Sequence, residues 1–177
     1  FIPSLEGQLL AGRDLTPRQI EILAKVEARH SDAAQALRDN WASNFTSEMR
    51  EKMRIAARYY LANPPYFREI AEKALEDDAF VPSERAYKKM VENKFATKVI
   101  ESTRSEAKFN QGSHVALRAN ADTSRLWNLR GKTGVVLKSG AKPVTSAARG
   151  SKVYSVLFFG ETSPSFIEER WQKKARR

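Results

Sequence analysis

The chain contains no cysteine and only two histidines, His30 and His114. Without cysteine it has no disulfide, no thiolate nucleophile and no Cys-ligated zinc. The two histidines lie in different halves of the chain, so their spacing predicts no compact His-based metal site. Lack of cysteine is typical of intracellular proteins, and we expect a cytoplasmic location in a bacterial or virus-infected cell.

Long apolar runs are also missing from the 177 residues. No stretch approaches the roughly 20 apolar residues that cross a bilayer, so we expect no membrane-spanning segment and no membrane partner. Position 1 is Phe, and no basic segment followed by an apolar one comes after it, so we expect no secretory signal. With 41% apolar and 29% charged residues, the composition is that of a folded globular protein.

Motifs for catalysis are lacking as well. Residues 130–133 (Arg-Gly-Lys-Thr) end like the phosphate-binding loop of nucleotide hydrolases. That loop needs a glycine where this chain has Leu126, and it needs a helix afterwards, whereas the pattern here predicts a strand. No Ser-His-Asp set is recognisable by spacing, and no carboxylate spacing indicates a metal. We therefore predict a protein without enzymatic activity, cofactor or metal.

The charge of the chain is distributed unevenly. Residues 106–177 contain 14 Lys or Arg against 5 Asp or Glu, a net charge of +9, whereas residues 1–105 contain 17 against 16. Cations concentrated in one segment are typical of a protein with a polyanion partner, because each neutralised phosphate releases condensed counterions. A basic surface that only promotes solubility is the alternative.

The first hundred residues have helical periodicity. Residues 16–19 (Thr-Pro-Arg-Gln) predict the capped start of a helix whose apolar stripe continues to Trp41. Further helix starts are expected at three positions, Thr46, Tyr66 and Ser83. The last of these helices carries apolar residues at four-residue steps as far as Val99. We predict a bundle of about four helices over residues 1–105.

The apolar period changes from helix to strand after residues 102–113, which lack periodicity and are typical of a linker or a frayed helix end. Alternating apolar residues predict strands at 114–119, 133–138 and 152–159, with glycines between them. Short strands separated by glycine turns predict a small barrel. We therefore expect an α+β protein of two domains, the helical bundle and then a basic β-barrel over residues 106–177.

Three segments of the second half resemble SH3-like barrels, a group that includes KOW-type domains. They are residues 112–118 (Gly-Ser-His-Val-Ala-Leu-Arg), 129–136 (Leu-Arg-Gly-Lys-Thr-Gly-Val-Val) and 150–158 (Gly-Ser-Lys-Val-Tyr-Ser-Val-Leu-Phe). Residues 166–171 are similar to the short element that closes such barrels. The resemblance covers about residues 110–172 and implies an SH3-like β-barrel, a fold that also hosts peptide-binding and structural roles.

The helical half has a resemblance of its own. Residues 15–23 and 59–66 are similar to helical accessory segments of phage replication proteins, including helicases. What this resemblance implies is a place beside a replication or transcription machine, as part of a larger protein assembly. No motor motif accompanies these segments in the chain.

Basic and aromatic residues are interleaved at 124–132, in one loop of the predicted barrel. Trp127 lies there between cations, an arrangement in which the cations hold a phosphate backbone while the indole stacks on a base. Packing of Trp127 beneath the barrel is the alternative. A second basic loop at 138–152 and the C-terminal tail offer further phosphate contacts. The predicted nucleic-acid-binding residues are Arg118, Arg125, Trp127, Arg130, Lys132, Lys138, Lys142, Arg149, Lys152, Lys173, Lys174, Arg176 and Arg177.

From these residues we predict a non-enzymatic nucleic-acid-binding module that contacts the phosphate backbone of DNA or RNA with weak sequence preference. The alternative is a protein-interaction or assembly module that docks on an acidic partner surface. The position of Trp127 separates the two, because an exposed indole beside basic loops favours nucleic acid. An exposed apolar patch on the helical half favours docking.

Overall fold

The structure, a computed structural model, describes residues 2–121 and 124–175, with Ser124 and Arg125 described by their backbone alone. The described residues form seven α-helices followed by a five-stranded antiparallel sheet, so the predicted α+β class is confirmed. Contacts divide the chain into two compact units, Phe1–Phe45 and Thr46–Arg177. The predicted division between residues 105 and 106 falls inside the second unit and stays a prediction. None of the described helices is both long and apolar enough to cross a bilayer.

The first unit contains helices α1 (Ile2–Leu10), α2 (Pro17–His30) and α3 (Asp32–Ser43). The predicted capping box begins α2, where the Thr16 hydroxyl accepts from the amide of Gln19 and the Gln19 side chain accepts from the amide of Thr16. The prediction of one helix through Trp41 is wrong, because Ser31 interrupts it. The Ser31 hydroxyl donates to the carbonyl of Ala28 and accepts from the amide of Ala34, which ends one helix and begins the next.

The second unit begins with four helices, namely α4 (Ser47–Ala62), α5 (Arg68–Glu76), α6 (Glu84–Val91) and α7 (Lys94–Arg104). Helix α4 packs against each of the other three. Met53, Met90 and Val99 are fully buried between these helices. Helix starts near Thr46 and Ser83 are as predicted, and each of these side chains accepts an amide of the first turn.

Asn93 divides the predicted fourth helix into α6 and α7. Its side-chain oxygen accepts from the amides of Phe95 and Ala96, at 3.0 and 3.1 Å, and so caps α7. Its side-chain nitrogen donates to the Tyr60 hydroxyl at 2.8 Å, which holds the break against α4. Because of this break, Phe95 is 49% exposed instead of continuing the buried stripe.

Five strands follow, β1 (His114–Leu117), β2 (Thr133–Ser139), β3 (Val153–Phe158), β4 (Ser165–Glu168) and β5 (Gln172–Lys174). Their order in the sheet is β4-β3-β2-β1-β5, and every neighbouring pair is antiparallel. A 3₁₀ turn at Ser124–Leu129 joins β1 to β2, and another at Glu169–Trp171 joins β4 to β5. In the described residues β4 and β5 do not pair with each other, so the sheet is open.

The last strand corrects the sequence prediction for the C-terminal region. We expected the closing element at 166–171 and, after it, a basic tail that contacts phosphate or else remains solvated, whereas Gln172–Lys174 pair with β1 as β5. The fully buried Gln172 accounts for the difference, because its side-chain Nε2 donates to the carbonyl of Ile167 at 3.1 Å. Its carbonyl accepts from Nε of Arg118 at 3.0 Å. Because its side chain and its backbone carbonyl are both hydrogen-bonded, Gln172 is held in the fold and does not belong to a free tail.

Tyr154 lies at the centre of the sheet core and is fully buried among Val115, Leu117, Val156 and Ile167. Its hydroxyl donates to Oε2 of Glu169 at 2.7 Å and accepts from the backbone N–H of Lys108 at 2.9 Å. These bonds fasten the segment before β1 to the sheet. Burial, and then the hydrogen bond to Glu169, raise the pKa of Tyr154 to about 12.

Tyr154→Phe is expected to lower the free energy of unfolding by about 1–3 kcal/mol, because the carboxylate of Glu169 and the N–H of Lys108 lose their shorter hydrogen bonds and keep only the 3.3 Å bond to each other. The pKa of Tyr154 is higher in the folded protein than its ordinary value of 10.0. Its contribution to stability is therefore complete below pH 10 and is lost as the pH rises towards 12. Urea unfolding of both proteins across this range should show their difference shrinking, and a constant difference would contradict the prediction.

Candidate nucleic-acid interface

A cleft of about 680 Å³ lies beside the β1–β5 edge of the sheet. Its described lining carries four cations and no carboxylate. The four are Lys108, Arg118, Lys173 and Lys174. We call this feature the basic cleft. Because like charges crowd its walls and no anion of the lining balances them, the described lining has the sign of charge that favours anionic groups such as phosphate.

Strand pairing brings the members of the basic cleft together. In the β1–β5 pair, Lys173 lies opposite Ala116 and Lys174 lies opposite Val115. Arg118 follows β1 directly, and its amide donates to the carbonyl of Trp171 at 2.8 Å while its Nε bonds to Gln172. The pairing thus places Arg118 and the two lysines, which are more than 50 residues apart in the chain, on one cleft.

Lys108 is the cation of the cleft that the sequence prediction missed. It lies in residues 102–113, which lack periodicity and were interpreted as a linker or a frayed helix end, and whose first three residues belong to α7. The structure fixes its backbone through the Tyr154 hydroxyl, so the linker becomes a wall of the cleft. The only signal in the sequence is that Lys108 belongs to the half with the net positive charge.

Trp127 is 65% exposed, which shows that it does not pack in the interior. In the 3₁₀ turn, residues three apart share a face, and Leu126 and Leu129 turn towards the sheet core. Trp127 is left on the outside. The guanidinium carbon of Arg130 lies 4.1 Å from the centroid of the indole ring, and we call these two residues the Trp127–Arg130 pair.

The Trp127–Arg130 pair adjoins the basic cleft through a short run of hydrogen bonds. The amide of Ala121 donates to the carbonyl of Arg118 at 3.1 Å, which closes a tight turn. The carbonyl of Ala121 then accepts from Nη2 and Nε of Arg130, at 2.7 and 3.1 Å. Through Ala121, these hydrogen bonds connect Arg118 of the basic cleft to Arg130, which contacts the exposed indole.

The cations of the two predicted loops lie in other surroundings. Lys132 is ion-paired with Glu161 at 2.8 Å, and Lys138 is exposed on β2. Nζ of Lys142 lies 3.7 Å from the ring centroid of Phe166, on the edge strand β4, at the opposite border of the sheet from β5. Arg149 lines a separate cleft together with three glutamates, namely Glu101, Glu106 and Glu169. The described residues thus place neither Lys142 nor Arg149 in the basic cleft.

Lys152 has a structural role instead of the predicted phosphate contact. The residue is only 8% exposed, and its ammonium group donates to the carbonyl of Ser105. It thereby ties the start of β3 to the end of α7, and the residue lines the same separate cleft as Arg149. The side chain of Arg125 and the whole of Arg176 and Arg177 lie outside the described residues.

Across the described ranges, no group of three or more His, Asp or Glu is placed to hold a metal ion. No family model, curated protein or solved structure matches the chain. Its site is therefore interpreted from the chemistry of its own residues.

Proposed function

We propose that the protein is a non-enzymatic nucleic-acid-binding module with weak sequence preference, acting as an accessory part of a replication or transcription machine. The observation that carries the proposal is the basic cleft, whose described lining has four cations and no anion, beside an indole that is 65% exposed. Cations at such a site contact phosphates, which carry no sequence information, and an aromatic ring accepts any base.

At the level of fold, we interpret the sheet as an SH3-like barrel with an open β4–β5 seam, and α4–α7 as a four-helix bundle. Support for the barrel comes from β5, which returns past the other strands to pair with β1. The buried side chain of Gln172, bonded to the end of β4, partly bridges the seam. Support for the bundle is the central position of α4 among its three neighbours.

A salt titration tests the proposed function. We expect random-sequence DNA and RNA to bind the intact protein, with a slope of log K against log salt of about −3, because four cleft cations release about 0.7–0.9 counterion each. Affinity then falls about fifty-fold between about 50 and 200 mM salt. Fluorescence anisotropy with labelled oligonucleotides measures this. A flat titration, or polyglutamate binding as tightly as nucleic acid of equal charge, would count against the proposal.

A second candidate function, docking on the acidic surface of a larger protein, is favoured by the first unit. Helices α2 and α3 bury none of their described residues. Leu10, Ile20 and Leu37 are 89%, 55% and 71% exposed. Large exposed aliphatic side chains favour a protein contact where they form one continuous patch, and the basic surplus of residues 106–177 is the charge that an acidic partner surface would match. Tight binding of polyglutamate in the same titration is the outcome that selects this candidate.

A further inference from the structure

We propose that the ligand is single-stranded nucleic acid, held by its phosphates in the basic cleft and by one unpaired base on Trp127. The inference rests on the proposed function and specifies its ligand. It follows from the surroundings of Trp127, from the path between Trp127 and the cleft, and from the shape of the cleft.

The surroundings of Trp127 form a platform for a base. Leu126 and Leu129 anchor the 3₁₀ turn in the core, and the turn leaves the indole outside, where Arg130 contacts it at 4.1 Å. A guanidinium beside an aromatic ring strengthens stacking on both groups. Only an unpaired base offers its face to such a platform, because the bases of a duplex are stacked on each other.

The path from the cleft to Trp127 suits a flexible strand. Arg118 belongs to the cleft, and the Arg118–Ala121 turn spans less than about 7 Å between its end Cα atoms. Arg130 bonds to Ala121 and contacts Trp127, so a strand that leaves the cleft along this turn passes Arg130 before it reaches the indole. Phosphates in the cleft and a base on the ring then belong to one and the same strand.

The shape of the cleft excludes the usual approach to a duplex. Sequence readers of duplex DNA insert a helix or a β-ribbon into the major groove. Here the cationic side chains line a concavity of about 680 Å³, and none of its described lining residues belongs to a helix. A concavity takes in a narrow chain, and the described lining offers no protruding element that could enter a groove of a duplex.

The test compares three labelled ligands of equal length on the intact protein, an unstructured single-stranded DNA, the same sequence as RNA, and the DNA duplex. We expect either or both single strands to bind at least about tenfold more tightly than the duplex. Trp127→Ala should weaken single-strand binding about five- to a hundred-fold, the range of one lost base stack, and change duplex binding less than about twofold. Trp127→Phe, which keeps an aromatic ring, should retain part of the preference for single strands over the duplex. It replaces Trp127→Ala in the test if the alanine variant does not fold.

Phe95→Ala provides the matched control. Phe95 is also a half-exposed ring with a cation nearby, because Nζ of Lys94 lies 5.0 Å from its centroid, but it belongs to α7. Its removal should leave all three affinities unchanged. Salt-dependent binding with no preference for single strands, or equal losses on single and double strands in Trp127→Ala, would overturn this inference and leave the proposed function in place. Failure of all three ligands to bind would overturn the proposed function itself.

Discussion

Gly134→Ala is expected to lower the free energy of unfolding by about 3 kcal/mol or more, with a fall of about 6–12 °C in Tm. Gly134 lies in β2 between two strands, opposite Val115 of β1 and Phe158 of β3. A Cβ atom there would lie 2.8 Å from Cα of Phe158 and 2.9 Å from the carbonyl carbon of Leu157. Because both are backbone atoms, no rotamer change relieves the overlap, and β2 and β3 must separate.

Gly140→Ala is the control for this prediction. Gly140 has a positive φ of 59°, and a Cβ there meets no atom within 4 Å. Only the backbone conformation opposes that substitution, so we expect a loss of about 1 kcal/mol. Urea unfolding followed by circular dichroism measures both variants. Equal losses would show that the close approach of β3 to Gly134 is not the cause.

The double variant Lys173→Glu, Lys174→Glu is expected to weaken nucleic-acid binding about 100- to 1000-fold at low salt. Two phosphate contacts are lost, and the new carboxylates repel the ligand and pair with Arg118 and Lys108 across the same cleft. Both lysine side chains are exposed, so folding should be retained. Anisotropy at about 50 mM salt gives the affinity, and thermal unfolding checks the fold.

Lys89→Glu, Lys98→Glu is the matched control, since it makes the same change in net charge on exposed positions of the helices α6 and α7. If the basic cleft is the binding site, this variant loses less than about threefold in affinity. Similar losses in the two double variants would mean that overall charge, not the cleft, determines binding.

Local signals in the sequence predicted most of the elements. The caps at Thr16, Thr46 and Ser83 are decided within one helical turn, and alternation of apolar residues indicated three of the five strands. The internal breaks at Ser31 and Asn93 were missed because helical periodicity continues through both. At Asn93 the break also depends on the hydroxyl of Tyr60, 33 residues away, which no local pattern contains.

The sequence indicated cations of the candidate site, but it did not indicate how the fold arranges them. Arg118, Lys173 and Lys174 come together only through the pairing of β1 with β5, which the sequence pattern did not indicate. Lys152 was included because it is one of the cations of the loop 138–152, whose small residues let backbone amides approach phosphate. Its burial depends on the carbonyl of Ser105, which is 47 residues away in the chain. The grouping of the cleft cations and the burial of Lys152 cannot be derived from the spacing of residues in the sequence. Both depend on backbone groups that are far away in the chain.

Strand β5 is only three residues long, yet it supplies two of the cleft's four cations. Short border strands open more readily than interior ones. Each opening would separate Lys173 and Lys174 from Arg118, and a nucleotide chain that bridges them would oppose it. If nucleic acid binds in the cleft as proposed, occupancy of the cleft and pairing of β5 with β1 are thermodynamically coupled, and the ligand stabilises this border of the sheet.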